Sequence, residues 1–335
     1  MIRSESTKPL ADFTPARFDL FICALGYERR SSTLLELESF SAARVYCMRF
    51  PGEPVLSASY NLRVAGQRNA ETVGDAKLFF RRELPRIVGE LSRRVGRPLR
   101  IGVDISSMNR SMIAAALCAA FAVKDDIHDL EVFYLPAAYD GPKYEFDIRR
   151  IGAVIPELSG FDSDPSLPAG LILGVGYEYG VSLGVLNQIE PKWTLCFKPM
   201  SSDSRYDDAI RDANLGFDFG AQNVDTVDYP LSSPAATFQY LENVAFGMLS
   251  NYRVIIAPLG PKLFALIAML VAVKHFGLIS VWRVAADQEP REAVSNGSVT
   301  SIIVDVHSRI RGEGHWSLNR LFRGRQDSDL SPSRG

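Results

Sequence analysis

A chain of 335 residues with 37 Lys and Arg against 39 Asp and Glu carries a formal charge of −2, which excludes both a basic nucleic-acid coat and an acidic disordered tail. Hydrophobic residues make up 47% and charged residues 23%, so the chain can bury the cores of two ordinary domains.

In chain order, residues 1–17 hold Arg3, Glu5, Lys8 and Asp12 where a secretory signal needs an unbroken apolar run, so no export is expected. Residues 18–28 (FDLFICALGYE) read as an apolar strand running into Gly26-Tyr27-Glu28, then Arg29-Arg30-Ser31-Ser32 at the start of a helical pattern. A second strand, 44–50, is closed by Pro51, and a variable segment, 52–97, contains a helix over 76–95. The strand at 99–105 breaks into the loop Ser106-Ser107-Met108-Asn109-Arg110, which opens an apolar helix over 111–123 before a strand at 130–135. Glycine, proline, serine and aspartate crowd residues 159–168, the expected linker.

The same plan then recurs. Residues 170–178 (GLILGVGYE) are a strand ending in Gly176-Tyr177-Glu178, and the next strand, 193–198, is closed by Pro199. A variable segment, 201–251, contains a helix over 235–249. The strand at 253–257 breaks into Pro258-Leu259-Gly260-Pro261-Lys262, followed by an apolar helix over 263–273 and a strand at 279–284. That helix ends at Lys274 and His275, short of the roughly 20 apolar residues that span a bilayer, so a cytoplasmic protein with no membrane partner is expected. After Val306 the chain turns arginine-rich, and residues 307–335 read as a mobile tail, the one place where nucleic acid would bind.

Strands that are apolar throughout and alternate with helices imply parallel sheets covered on both faces. The fold class is therefore α/β, with two tandem Rossmann-like parallel-sheet domains related by internal duplication, over residues 1–158 and 169–306. Cys23, Cys47, Cys118 and Cys196 are far apart in apolar runs and read as reduced core thiols. His128, His275, His307 and His315 form no HExxH and lie near no cysteine, so no metal is expected.

In open parallel sheets, ligands gather beyond the carboxyl ends of the strands, where helix N-termini present unpaired N–H groups. Both repeated loops fall there. Gly26, Tyr27, Arg29, Arg30 and Ser31 would form an anion-holding loop with Ser106, Ser107, Asn109 and Arg110 beside it. In the second half Gly176, Tyr177, Gly260 and Lys262 take the matching places, without the hydroxyls. Other roles are open: Ser106, Ser107 and Asn109 as helix caps, Tyr27 and Tyr177 as core aromatics, Arg29 and Arg30 as surface groups. The glycine run 174–180 carries no acidic ribose partner at the end of the next strand, so no dinucleotide cofactor is expected. Asp104 and Glu28 are the only acids that this edge offers to catalysis.

A strand, a Ser/Thr-rich loop ending in a base and an apolar helix, paired with an earlier strand-end loop, resembles the CARF (CRISPR-associated Rossmann fold) domains. The matching positions are Ser106, Ser107, Asn109, Arg110, Gly260 and Lys262, with residues 26–31 and 176–182 as the earlier loops. The resemblance implies a single-chain pseudo-dimer that binds a nucleotide or another phosphorylated small molecule between its halves. It also implies a role in bacterial antiviral defence, with a separate effector protein as partner. Two alternatives stand beside it: a nucleotide-processing enzyme, such as a phosphodiesterase, ring nuclease or nucleotide hydrolase, using the same cleft, and a non-catalytic structural subunit of a defence complex.

Overall fold

The computed structural model describes residues 1–141, 147–178, 180–200, 204–287 and 290–311. The chain begins with β1 (Ile2–Pro9), β2 (Leu20–Leu25), α1 (Thr33–Glu36), β3 (Val45–Arg49), α2 (Ala58–Gln67) and β4 (Glu71–Val73). It continues through α3 (Ala76–Leu78), a π-helical turn, α4 (Leu84–Val95), β5 (Leu99–Asp104), α5 (Arg110–Ala122) and β6 (Ile127–Tyr134). Next come β7 (Asp147–Ala153), β8 (Ala169–Gly174), α6 (Val181–Ile189), β9 (Trp193–Met200), α7 (Ser204–Ala213) and β10 (Val224–Pro230). The described chain closes with α8 (Pro234–Met248), β11 (Arg253–Pro258), α9 (Lys262–Lys274), β12 (Ile279–Asp287) and β13 (Ser298–Val304).

Among the described residues the strands form two sheets, in the orders β1-β13-β6-β5-β2-β3-β4 and β10-β9-β8-β11-β12-β7. In each, five parallel strands are joined by one antiparallel strand, β13 against β6 and β7 against β12. Written from the edge inward, β4-β3-β2-β5-β6-β13 superimposes on β10-β9-β8-β11-β12-β7. The duplication read from the sequence is thus a duplication of topology. β2 and β8 are buried along their whole length, as two-sided cover demands.

The antiparallel strands are exchanged between the sheets. Chain continuity would fold β7 back on β6, yet β7 completes the second sheet, while β13, which follows β12, completes the first. The contiguous boundaries 1–158 and 169–306 therefore require correction: each sheet borrows a strand across them. The segment 159–168, expected to link the halves, lies between β7 and β8 of the same sheet, and Asp162 N–H donates to Gly277 O. The halves are in fact joined by the connections on either side of the exchanged strands. β1 adds to β13 and reaches the second half, where Glu5 accepts hydrogen bonds from Ala235 N–H and Ser233 Oγ at the start of α8.

α5 and α9 are apolar all round, and such helices must be buried. They pack on each other, and together with α4, α8 and the inner faces of both sheets they share one continuous core, including Ile113 and Leu117 from one half and Phe264 and Leu266 from the other. Each sheet keeps a private core on its outer face. The four cysteines are buried and reduced. Residues 307–311, placed in the tail by sequence, are docked: Ile310 is buried and Arg311 N–H donates to Lys274 O. The tail's remaining arginines, Arg320, Arg323, Arg325 and Arg334, lie outside the described residues. Among the described residues no helix is long and apolar enough to cross a membrane, and no three His, Cys, Asp or Glu side chains cluster to hold a metal.

Candidate functional site

The carboxyl edges of the two sheets face each other, and the loops after β2, β5, β8 and β11 meet. The contact is reciprocal. Arg110, first residue of α5, donates to Leu259 O (2.9 Å) and Gly260 O (3.1 Å) of the second half. Lys262, first residue of α9, donates to Ser106 O of the first half. The two equivalent cations thus cross the joint in opposite directions.

The first half's rim is a closed polar network. Asn61 on α2, fully buried, donates to Gly26 O and Glu28 O (2.9 Å each) and accepts from Ser32 Oγ, which fixes the loop after β2. Ser31 Oγ lies 2.7 Å from Ser107 Oγ and accepts from Gly26 N–H, while Ser107 also reaches Glu28 Oε2. Arg30 pairs with Glu28 (2.9 Å) and donates to Leu135 O (2.6 Å). Asp104 is 2% exposed and accepts from Ser106 N–H and Oγ, and Ser106 Oγ accepts in turn from Leu135 N–H.

Burial dominates the electrostatics. It pushes Asp104 up to about 6, against the pull of Ser106, Arg30 and Lys262. It brings Lys262 down to about 7, although Glu28 favours its charge. For Glu28 the burial cost is outweighed by Lys262 and Arg30, which hold the carboxyl below its ordinary range. Desolvation likewise lowers Arg110, opposed by Glu178. Three cations, Arg30, Arg110 and Lys262, are therefore interleaved with three carboxylates, Glu28, Asp104 and Glu178. The rim is charged but balanced, so an incoming anion must compete for the cations.

The second rim is built by backbone contact. Leu259 and Gly260 N–H both donate to Gly174 O (2.9 and 3.1 Å). A Cβ on Gly260 would stand 2.7 Å from Val175 O, and one on Gly176 would stand 2.8 Å from Leu259 O, so both glycines permit this close approach. Asn214 holds Gly176 O through its Nδ2 (2.8 Å). The Tyr177 ring packs near Tyr206 (6.1 Å), whose hydroxyl donates to Ala137 O of the first half.

The joint thus assembles Gly26, Glu28, Arg30, Ser31, Ser106, Ser107, Arg110, Gly176, Tyr177, Gly260 and Lys262. Tyr27 is half-buried beside Glu28. Three of the expected residues are engaged in local contacts. The Arg29 guanidinium turns away from the joint, forking onto Glu36 (2.6 and 2.8 Å) and lying 3.9 Å over the Tyr60 ring. Asn109 is the N-cap of α5, its Oδ1 accepting from Met112 N–H. Ser106 is likewise spent on Asp104 and Leu135. Of the two candidate acids, Glu28 lies at the joint and Asp104 beneath Ser106. Sequence reasoning missed Asn61, Tyr134, Asn214 and Tyr229. Tyr134 ends β6, near enough to Arg30 for the guanidinium to favour its ionised form, and a tyrosine just before Leu135 was readable as a rim position.

The sequence matches no protein-family model and no curated protein. Among solved structures, the chain is similar to the binary complex of leucoanthocyanidin reductase with NADPH from Vitis vinifera, at 14% identity and a TM-score of 0.24, over 66% of this chain and 81% of that one.

Proposed function

We propose that the joint binds a small phosphorylated ligand of the nucleotide type and that the protein reports its presence. The supporting observation is the reciprocal crossing of Arg110 and Lys262 where two equivalent strand-end rims meet, with Arg30, Ser107, Tyr27, Tyr134 and Tyr177 around them. Cations and hydroxyls supply charge-assisted hydrogen bonds to a phosphoryl group, and tyrosines supply faces for a base. An anion that recruits Lys262 takes it from Ser106 O, so occupancy alters the contact between the halves.

Binding without turnover is favoured over the nucleotide-processing alternative. Asp104 is shut behind Ser106, and Glu28 Oε2 is engaged by Arg30 and Ser107. The role in antiviral defence with a separate effector rests on the resemblance to CARF domains.

Thermal unfolding across nucleoside mono-, di- and triphosphates and cyclic nucleotides tests the reading, since a ligand specific to the folded state raises the melting temperature by mass action. At least one nucleotide is expected to give a shift that Lys262→Met diminishes, and mass analysis is expected to recover it unchanged. A panel with no shift refutes binding, and a converted nucleotide replaces the sensor with an enzyme.

A further inference from the structure

Unpartnered buried atoms are distributed unevenly around the joint. The side chains of residues 26–32 and 104–109 leave no buried nitrogen or oxygen without a partner. Beside the loops after β8 and β11, three buried atoms have none: the Tyr229 hydroxyl and Asn214 Oδ1 of the second half, and Nε of Arg110, which reaches across from the first half's loop. Buried polar groups in folded proteins are nearly always paired, so three orphans on residues that touch the same two loops require explanation.

All three residues lie against the loops after β8 and β11, the strands at which the second sheet's order reverses and beside which ligands of such sheets bind. Tyr229, at the end of β10, is 2% exposed, and its ring packs on Phe264 (4.9 Å) and Phe197 (6.1 Å). Its hydroxyl lies 3.7 Å from where a Cβ on Gly260 would stand. Asn214 is 4% exposed. Its Nδ2 donates to the carbonyls of Gly176 and Ile210, which identifies the other atom as the amide oxygen and leaves it as an acceptor. Arg110 spends its terminal nitrogen on Leu259 O and Gly260 O and keeps Nε free.

We propose that Tyr229, Asn214 and Arg110 are the groups that read the ligand, at the β8–β11 crevice of the half whose loop is chemically plainer. The inference rests on the binding function proposed above and names the ligand class more closely. Tyr229 and Arg110 Nε donate, which suits phosphoryl oxygens, while Asn214 Oδ1 accepts and calls for an N–H or O–H on the same molecule. The class is an amino- or hydroxyl-bearing phosphate ester, as opposed to bare pyrophosphate. Arg110 and Lys262 hold the carbonyls of Leu259, Gly260 and Ser106 across the joint, so the ligand enters as they release them.

Tyr229→Phe tests this, because it keeps the ring and removes only the hydroxyl. Deleting an unpaired buried hydroxyl leaves stability equal or higher, whereas deleting a paired one lowers it. The variant is expected to melt at or above the wild-type temperature and to bind adenosine 5′-monophosphate or cyclic AMP at least tenfold more weakly, with pyrophosphate the poorest probe for the wild type. A variant that melts lower shows a structural partner for the hydroxyl and overturns the inference whether or not any probe binds. A stable variant with undiminished nucleotide binding also overturns it, while leaving binding at the joint intact. If no probe binds the wild type, the proposed function falls and this assignment with it.

Discussion

The two rims are built on the same strands in the same order, yet they hold their shape by opposite means. The first closes through side chains, a chain of hydroxyls and ion pairs from Gly26 through Ser31, Ser107 and Glu28 to Arg30. The second closes through backbone, with Leu259 and Gly260 N–H on Gly174 O and glycines where Cβ atoms would collide. Chemical richness in a loop is therefore no measure of its availability. Hydroxyls and arginines that satisfy one another first hold their rim together, and a ligand must displace those contacts to use them.

The largest expected effect falls on the first rim's ion pair. Arg30→Met strands Glu28 in a mostly buried position and should cost about 3–5 kcal/mol in denaturant unfolding; a loss under 1 kcal/mol would mean that the network is not what holds this rim.

Next comes the pH dependence of the cation that crosses between rims. Above about pH 7 folded Lys262 gives up its proton, while the unfolded chain keeps it until about 10.5. The unfolded state thus binds more protons in that window, and the Lys262 contribution to stability rises with pH, by up to about 1.4 kcal/mol per unit. Asp104 acts oppositely, its contribution falling as pH rises from 3.8 to about 6. Unfolding free energies between pH 7.5 and 9 should rise more steeply for the wild type than for Lys262→Met; equal slopes would remove Lys262 from the buried joint.

The matched glycines give the finest comparison. A Cβ on Gly176 presses against backbone at 2.8 Å, whereas one on Gly26 finds nothing nearer than 3.5 Å. Gly176→Ala should lose about 1–2 kcal/mol and Gly26→Ala less than half of that, by thermal unfolding of the two variants side by side. Equal losses would show that the rims pack alike after all.

Much of this was legible in the sequence. The strands at 18–25 and 170–174, the apolar helices α5 and α9, and the bases that begin them are local patterns, and their repetition revealed the duplication. The helix expected over 76–95 forms as α3, a π-turn and α4, and that expected over 235–249 as α8. The short edge strand β4 and the polar β10 went unread inside the variable segments because exposed edge strands lack a continuous apolar run. Arg29 and Arg30 are adjacent and chemically identical, yet one turns outward to Glu36 and Tyr60 and the other inward to Glu28 and Leu135. Nothing in their spacing distinguishes them.

By itself, then, the sequence determined the wound α/β plan, its duplication and the loops that end the strands, because hydrophobic period, glycine and proline act over a few residues. Only the tertiary structure decided that β7 and β13 trade sheets, since strand pairing depends on partners distant in the chain. It also decided that Arg110 and Lys262 cross the joint and that Tyr229 and Asn214 keep unpaired atoms beside it. Whether a polar side chain is satisfied is a property of its neighbours in space, and those neighbours come from segments that the sequence lists far apart.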